Sequence, residues 1–277
     1  MCDSRQSYLL SALLVCLAAT ASAGGLWLDG LYRDSPYIVP QARGQDAVTF
    51  AVSLPLLVVA LVWSRQGSPR AKLLWLGQLA YLLYAYATYA FGAAFNEFFL
   101  FYVAILGLSL FALIGILLAT NADDLAQCFR PGRISRLTGA FLVAVGVSGF
   151  ALWLKDIVPA NLAHQVPESI KLLGTPTNVI YVLDLSVTLP TLILTGVLLL
   201  RGRPWGYVLG GMMLVMGSTL MLAVLVMAIF MHRAGLPLDL FLVSFFATAT
   251  VTFTLLSVVF IARFKPVREA PSGLPQR

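Results

Sequence analysis

Charge is scarce in this chain, and the scarcity is uneven. Asp, Glu, Lys and Arg make up 11% of the 277 residues, and they are absent from Gln6–Leu28, Ala47–Ser64, Leu73–Asn96, Phe98–Ala122, Leu137–Leu154, Pro204–Met231 and Leu240–Ala262. Leu172–Leu200 carries one, Asp184. About 20 predominantly apolar residues span a hydrocarbon core at roughly 1.5 Å rise per residue, so eight membrane helices are expected. The absence of charge excludes a soluble domain, because 60% hydrophobic residues and a mean hydropathy of +0.89 would leave an untenable apolar surface. A barrel is excluded as well. Its strands would alternate in runs of roughly ten, whereas a long continuous apolar run satisfies its own backbone hydrogen bonds as a helix. The expected class is an all-α, polytopic integral membrane protein embedded in a lipid bilayer.

Other shortages narrow the chemistry. There are two histidines, His164 and His232. His164 and Glu168 are four apart, but Pro167 between them spoils a regular helical metal face, so no metal is expected. The spans offer no paired histidines for haem. Cys2, Cys16 and Cys128 are widely separated and form no C-x-x-C. Neither a Walker loop nor a dinucleotide fingerprint is present, so no cofactor and no chain-borne ATP hydrolysis are expected. No catalytic residue is assigned. A lipid-modifying membrane enzyme stays open as an alternative, since one carboxylate and a tyrosine can do acid–base work.

The net charge of +6 does not point to nucleic acid, because the basic residues sit at span ends and form no stripe interleaved with aromatics. They read as topology signals. The turns after the second, fourth and sixth runs and the C-terminal tail hold 12 of the 18 Lys and Arg residues: Arg65, Arg70, Lys72, Arg130, Arg133, Arg136, Arg201, Arg203, Arg263, Lys265, Arg268 and Arg277. The alternate loops hold five. By the positive-inside rule both termini are cytoplasmic, and Gly24–Gln45 and Lys155–Asn178 face outward. Arg5, the following apolar run and Ala21-Ser22-Ala23 also resemble a cleavable secretory signal. The uncharged run continues to Leu28, however, which suits a span.

Aligning Pro55 with Pro190 sets Ala51–Val59 against Ser186–Leu194 at an offset of 135 residues, with four of nine identical. Leu26-Trp27-Leu28-Asp29 and Leu152-Trp153-Leu154-Lys155-Asp156 each precede an outward loop and then the proline-bearing span. This order suggests a parallel 4+4 duplication with halves 6–122 and 137–263 in a single domain over 1–265, followed by a disordered cytoplasmic tail, 266–277. Each proline removes a helical donor and frees the carbonyl four residues earlier, at Ala51 and Ser186, which permits a kink or a local polar site.

Asp184 is the principal candidate site residue. It lies roughly 9 Å inside its span, where a carboxylate costs on the order of 2–3 kcal/mol even on the lenient insertion scale. Thr188, Thr191 and Thr195 continue a polar face inward from it. Such a stripe suits proton, cation or small-solute binding, but the threonines can equally bond their own helix and Asp184 can be a polar tie to a neighbour. In the third span Gln78, Tyr81, Tyr84 and Thr88 share a face that could line an outward cavity, while Tyr86 and Tyr89 read as interfacial anchors. Glu97 stands among several outward acids that could draw cations into a vestibule. Asp46 fits a helix cap. Gly206, Gly210, Gly211 and Gly217 offer close helix packing, inside the protein or in an oligomer.

Leu31-Tyr32-Arg33-Asp34, Arg43-Gly44-Gln45-Asp46 and Phe91-Gly92-Ala93-Ala94-Phe95-Asn96 resemble segments of a broadly distributed family of uncharacterised bacterial multi-pass membrane proteins. The resemblance implies a bacterial cytoplasmic membrane location and carries no activity. The expectation is a transporter or binding protein for a small solute or ion, with an outward cavity near Asp184. The alternative is a non-catalytic accessory or sensor protein whose outward loops bind a partner. Oligomeric state is left open.

Overall fold

Where the chain lacks charge it also has little reason to leave its own backbone hydrogen bonds, and the computed structural model is helical through most of each of those runs. It describes residues 4–265 apart from Pro131 and Leu238; the expected tail, 266–277, lies outside the described residues. The long elements are α1 (Ser4–Trp27), α2 (Ile38–Val48), a π-helical turn (Thr49–Ser53), α3 (Leu54–Ser64), α4 (Pro69–Gly92) and α5 (Phe99–Leu118). After a short α6 (Ala122–Gln127) come α7 (Arg133–Leu162), a short α8 (Glu168–Leu173), α9 (Val179–Leu183), a second π-helical turn (Asp184–Thr188), α10 (Leu189–Leu200), α11 (Pro204–Arg233) and α12 (Leu240–Ala262). Among the described residues no strand forms; a single bridge joins Phe129 to Phe264.

Among the described residues, seven helical segments are long and apolar enough to cross a membrane: 5–27, 38–64, 99–118, 133–162, 179–200, 204–233 and 240–262. The eighth uncharged run forms α4. Its length is sufficient, but four tyrosines and a glutamine lower its hydropathy. Burial explains why it tolerates them. Sixteen of its 24 residues are buried, packed against α3, α5 and α11, so its polar groups meet protein.

The connections gather at two ends. At the basic end, Arg70 reaches from the first turn of α4 to the carbonyls of Phe264 (2.7 Å) and Ala262 (3.1 Å). There Arg130 N–H donates to Arg263 O and Lys265 N–H to Cys128 O, which ties the segment after α5 to the segment after α12. At the opposite, acidic end, Asp34 accepts from Ala94 N–H (2.8 Å) and Arg33 pairs with Glu97. These bonds hold the α1–α2 and α4–α5 connections together.

Two boundaries differ from the sequence reading. The second span starts at Ile38, nine residues before the uncharged run, because Arg43 and Asp46 find partners that let helix continue through them. Asp46 therefore lies in the last turn of α2 and is buried to 2% exposure; it does not cap the helix start. Likewise α7 runs through Lys155 and Asp156 to Leu162, shortening the loop expected over Lys155–Asn178.

The prolines act as the sequence anticipates, with a specific geometry. Pro55 and Pro190 cannot donate, and each follows a π-helical turn in which the next available N–H reaches back five residues: Leu54 to Thr49 O, and Leu189 to Asp184 O. Such a turn widens the helix before the proline ring.

Glycines set the closest helix approaches. A Cβ at Gly139 would stand 2.9 Å from Gly196 O, so α7 and α10 touch backbone to backbone there. On α11, Gly206 faces the Leu198–Leu199 backbone, Gly210 faces Leu199 and Phe260, Gly211 faces Leu73 and Gly217 faces Phe253. All four serve contacts within the chain. Gly196→Ala is expected to lower the thermal unfolding midpoint of the detergent-purified protein, with a penalty of about 1–3 kcal/mol for an overpacked contact. Gly107→Ala, where a Cβ meets nothing within 4 Å, is the control expected to unfold at or above the wild-type temperature.

Candidate functional site

Asp184 is the first residue of the second π-helical turn, where the Pro190 distortion loosens the helix. Its Oδ1 accepts from the Tyr84 hydroxyl of α4 at 3.0 Å, and its Oδ2 accepts from the Trp153 indole N–H of α7 at 2.9 Å. One half-buried carboxylate thus ties three helices together. A carboxylate has about four lone-pair sites, so these two donors leave acceptor capacity for a proton or cation.

Trp153 also packs at a tilt against Tyr181, with ring centroids 4.8 Å apart. Tyr181 donates to Asp156 Oδ2 at 2.5 Å and lies 2.8 Å from Ser169 Oγ, which anchors α8 and α9 to the end of α7. Tyr181 forms part of the wall of an open groove of about 540 Å³. Ile157 and Asn161 of α7, Gln165 just beyond its end, Ile170 of α8, and Val182, Leu185 and Ser186 complete most of that wall. Asp184 is not in it. The Trp153–Tyr181 pair connects them: one ring holds Asp184 and the other faces the groove.

The remaining expected site residues divide. Tyr84 joins Asp184 directly. Thr188, one turn on, is buried and directs its hydroxyl to Leu183 O (3.4 Å). Thr191 is half-buried and enters none of these bonds. Thr195 is fully buried at the α7–α10 approach, and its hydroxyl has no hydrogen-bond partner. Thr188 also lies within reach of the Asp184 carboxylate, whereas Thr195, two turns further in, is fully buried. Tyr81 is fully buried and pairs at 3.0 Å with Thr49 Oγ1, inside the first half of the chain. Glu97 is exposed and pairs with Arg33 at the surface.

Sequence reasoning missed a second carboxylate centre. Asp46 Oδ2 accepts from Tyr32 (2.5 Å), and Oδ1 lies 3.0 Å from the Tyr89 hydroxyl. Tyr89 and Tyr86, expected as interfacial anchors, are almost fully buried, and their rings pack with Tyr102. The three segments that carried the family resemblance converge here: Tyr32 and Asp34 from the first, Asp46 from the second, and Ala94 with Asn96 from the third. The available signal was the pair Arg43 and Asp46 just ahead of an apolar run, together with tyrosines three apart on α4.

Nearer the basic end of α4 than either centre lies a buried chain of neutral bonds. Ser53 Oγ donates to Gln78 Oε1 (2.7 Å), and Gln78 Nε2 donates to Thr219 Oγ1 of α11 (3.1 Å). Ser53 is the last residue of the first π-helical turn. Both prolines are thus preceded by a turn whose side chains bond to α4.

These features define an all-α protein of the multi-pass membrane class, with two acid–tyrosine centres at one end of the bundle. No protein-family model, curated protein or solved structure matches the chain, so the resemblance drawn from the three short segments has no support from relatives.

Tyr32 lies in the connection between α1 and α2. Burial first, and then the neighbouring Asp46, pushes its phenol well above the ordinary tyrosine range. A raised folded-state value means that the folded chain keeps a proton which the unfolded chain releases near pH 10, so this contribution to stability is complete below that pH and is lost as pH rises above it. Ultraviolet titration of wild type and Tyr32→Phe should therefore superimpose through the range where exposed tyrosines ionise. A phenolate signal missing from the variant near pH 10 would contradict the burial of Tyr32.

Proposed function

We propose that the protein is an eight-span carrier or binding protein for a small polar solute or cation, in which Asp184 is the binding carboxylate and the groove beside Tyr181 is its outer vestibule. The observation that carries this reading is the placement of Asp184. A carboxylate within a membrane helix is bonded to α4 on one side and to Trp153 on the other, and Trp153 packs at a tilt against a residue of the groove wall. Intramembrane acids are costly and mark pathways more often than inert positions. The groove mixes Asn161, Gln165, Thr177 and Ser186 with Ile157, Ile170 and Leu185, a lining suited to an amphipathic or weakly hydrated solute. Displacing the Trp153–Tyr181 pair would open the groove to the acid.

In this reading α4 is the eighth span, since its 24 residues reach about 36 Å as a helix. The excess of Lys and Arg at the basic end favours, by the positive-inside rule, a topology with both termini in the cytoplasm and the groove opening outward from a bacterial inner membrane. A parallel 4+4 duplication is supported by geometry as well as by sequence. The π-helical turns at 49–53 and 184–188 stand at the same 135-residue offset as the prolines. Gly77 of α4 and Met212 of α11, separated by that offset, also face each other, as residues beside a two-fold axis would. The axis would pass between α4 and α11.

The test uses purified full-length protein, first in thermal unfolding against a panel of inorganic cations, amines and neutral polar solutes, then in sealed proteoliposomes with the stabilising compounds. A compound that stabilises wild type and is carried across the bilayer should bind Asp184→Asn roughly tenfold more weakly, about 1.4 kcal/mol. Trp153→Phe should retain binding and change the rate of flux. If Asp184→Asn folds normally and matches wild type in binding and flux, Asp184 is a structural tie. If the whole panel is inert, the outward connections become the place to seek a protein partner.

A further inference from the structure

We infer that Asp46 is a proton-binding site, separate from Asp184, in which the carboxyl group holds one exchangeable proton between Tyr32 and Tyr89. The argument rests on the hydrogen-bond inventory. Tyr89 Oη lies 2.9 Å from Ala42 O and 3.0 Å from Asp46 Oδ1. A phenol has one proton, and a backbone carbonyl only accepts. When Tyr89 donates to Ala42 O, the Asp46 Oδ1 contact is satisfied if that oxygen carries a proton and donates it to Tyr89. Tyr32, at 2.5 Å, donates to the other oxygen. The protonated carboxyl thus completes every bond in the group.

Release of the proton has a defined consequence. The O–H bond at Asp46 Oδ1 breaks and the proton passes to water on the Tyr32 side. Tyr89 then rotates its own proton from Ala42 O to the carboxylate, which accepts from both phenols. The number of protons on the tyrosines is unchanged. Tyr102 supplies a second, independent sign of an unfinished polar site. Its ring stacks on Tyr89 at 5.2 Å, the residue is 2% exposed, and its buried hydroxyl has no hydrogen-bond partner.

The ligand is a proton because the group is closely enclosed, with Asp46 only 2% exposed. A Cβ at Gly25 of α1 would overlap the Asp46 carboxyl and crowd the Tyr32 hydroxyl, so helix backbone closes the group from that side. The surrounding titratable groups are these. Arg43, on α2 itself, pairs with Asp29. Tyr81, Tyr86 and Tyr89 come from α4, Tyr102 from α5, and Tyr32 and Asp34 from the α1–α2 connection. In α1 the titratable residues are Arg5, Tyr8 and Cys16, all before the turn that meets Asp46. α11 packs on α2 where Met227 meets Gly44, and its titratable residues are Tyr207 near its start and His232 and Arg233 at its end.

The experiment is infrared difference spectroscopy on the full-length protein in lipid, stepped between low and high pH, in H2O and D2O. The expected result is a carboxylic-acid C=O band that shifts in D2O and is lost as pH rises. It should be absent from Asp46→Asn, moved in frequency in Tyr89→Phe and Tyr32→Phe, and retained in Asp184→Asn. A band unaffected by Asp46→Asn, or one that persists at every pH at which the protein stays folded, overturns the inference. Should Asp46→Asn fail to fold, the two phenylalanine variants decide: an unmoved band in both also overturns it. Because Asp184→Asn is read in parallel, the outcome is independent of the proposed solute site.

Discussion

A polar side chain surrounded by lipid has no water to fall back on, so it must find its partner within the protein, and in this molecule most of those partners lie on α4. Gln78 binds Ser53 and Thr219, Tyr81 binds Thr49, Tyr84 binds Asp184, and Tyr89 binds Asp46. Trp75 and Tyr86 reach α1 in the same way, at Ser11 and the Ala18 carbonyl. Helices bearing an acid or a hydroxyl are therefore positioned by what α4 offers them. Apolar packing supplies contact area around this column, but it does not select register, because lipid tails compete equally well for leucine.

The π-helical turns belong to the same arrangement. Proline ahead of α3 and α10 removes a backbone donor, and the widened turn presents side chains that a regular helix would orient differently. In the first half those side chains are Thr49 and Ser53, both bonded to α4. In the second half they are Asp184 and Thr188, and only the acid reaches α4. The halves thus share a backbone device and differ in the charge they place on it. That difference follows from single residues at matching positions, Thr49 and Asp184.

Helical class and span positions were legible because both depend on local composition. The boundaries were less so. The uncharged run starting at Ala47 concealed nine earlier residues of helix, since Arg43 and Asp46 appear to demand water until Asp29, Tyr32 and Tyr89 are brought to them by the fold. Asp184 could be singled out because its apolar surroundings in sequence are also its surroundings in space, and Tyr84 because it shares a helical face with other polar residues. Trp153 could not be paired with Asp184 from spacing alone, and Tyr86 and Tyr89 read as interfacial because sequence does not reveal that α1, α2 and α5 cover them. For Thr195 the converse holds: helical periodicity puts it on a polar face, but in the fold its hydroxyl is fully buried without a hydrogen-bond partner.

The composition of α4 bears on how such a protein is made. A helix whose tyrosines and glutamine are tolerable only when covered by neighbours is a poor candidate for partition into lipid by itself. On the eight-span reading proposed above, its entry into the bilayer is a cooperative event: α3, joined to it by a tight turn, and the later α11 must be at hand to receive its polar side chains. Biogenesis of the molecule is then limited by the helix that ends up most protected, and truncations ending before α11 would leave that helix without one wall of its eventual enclosure.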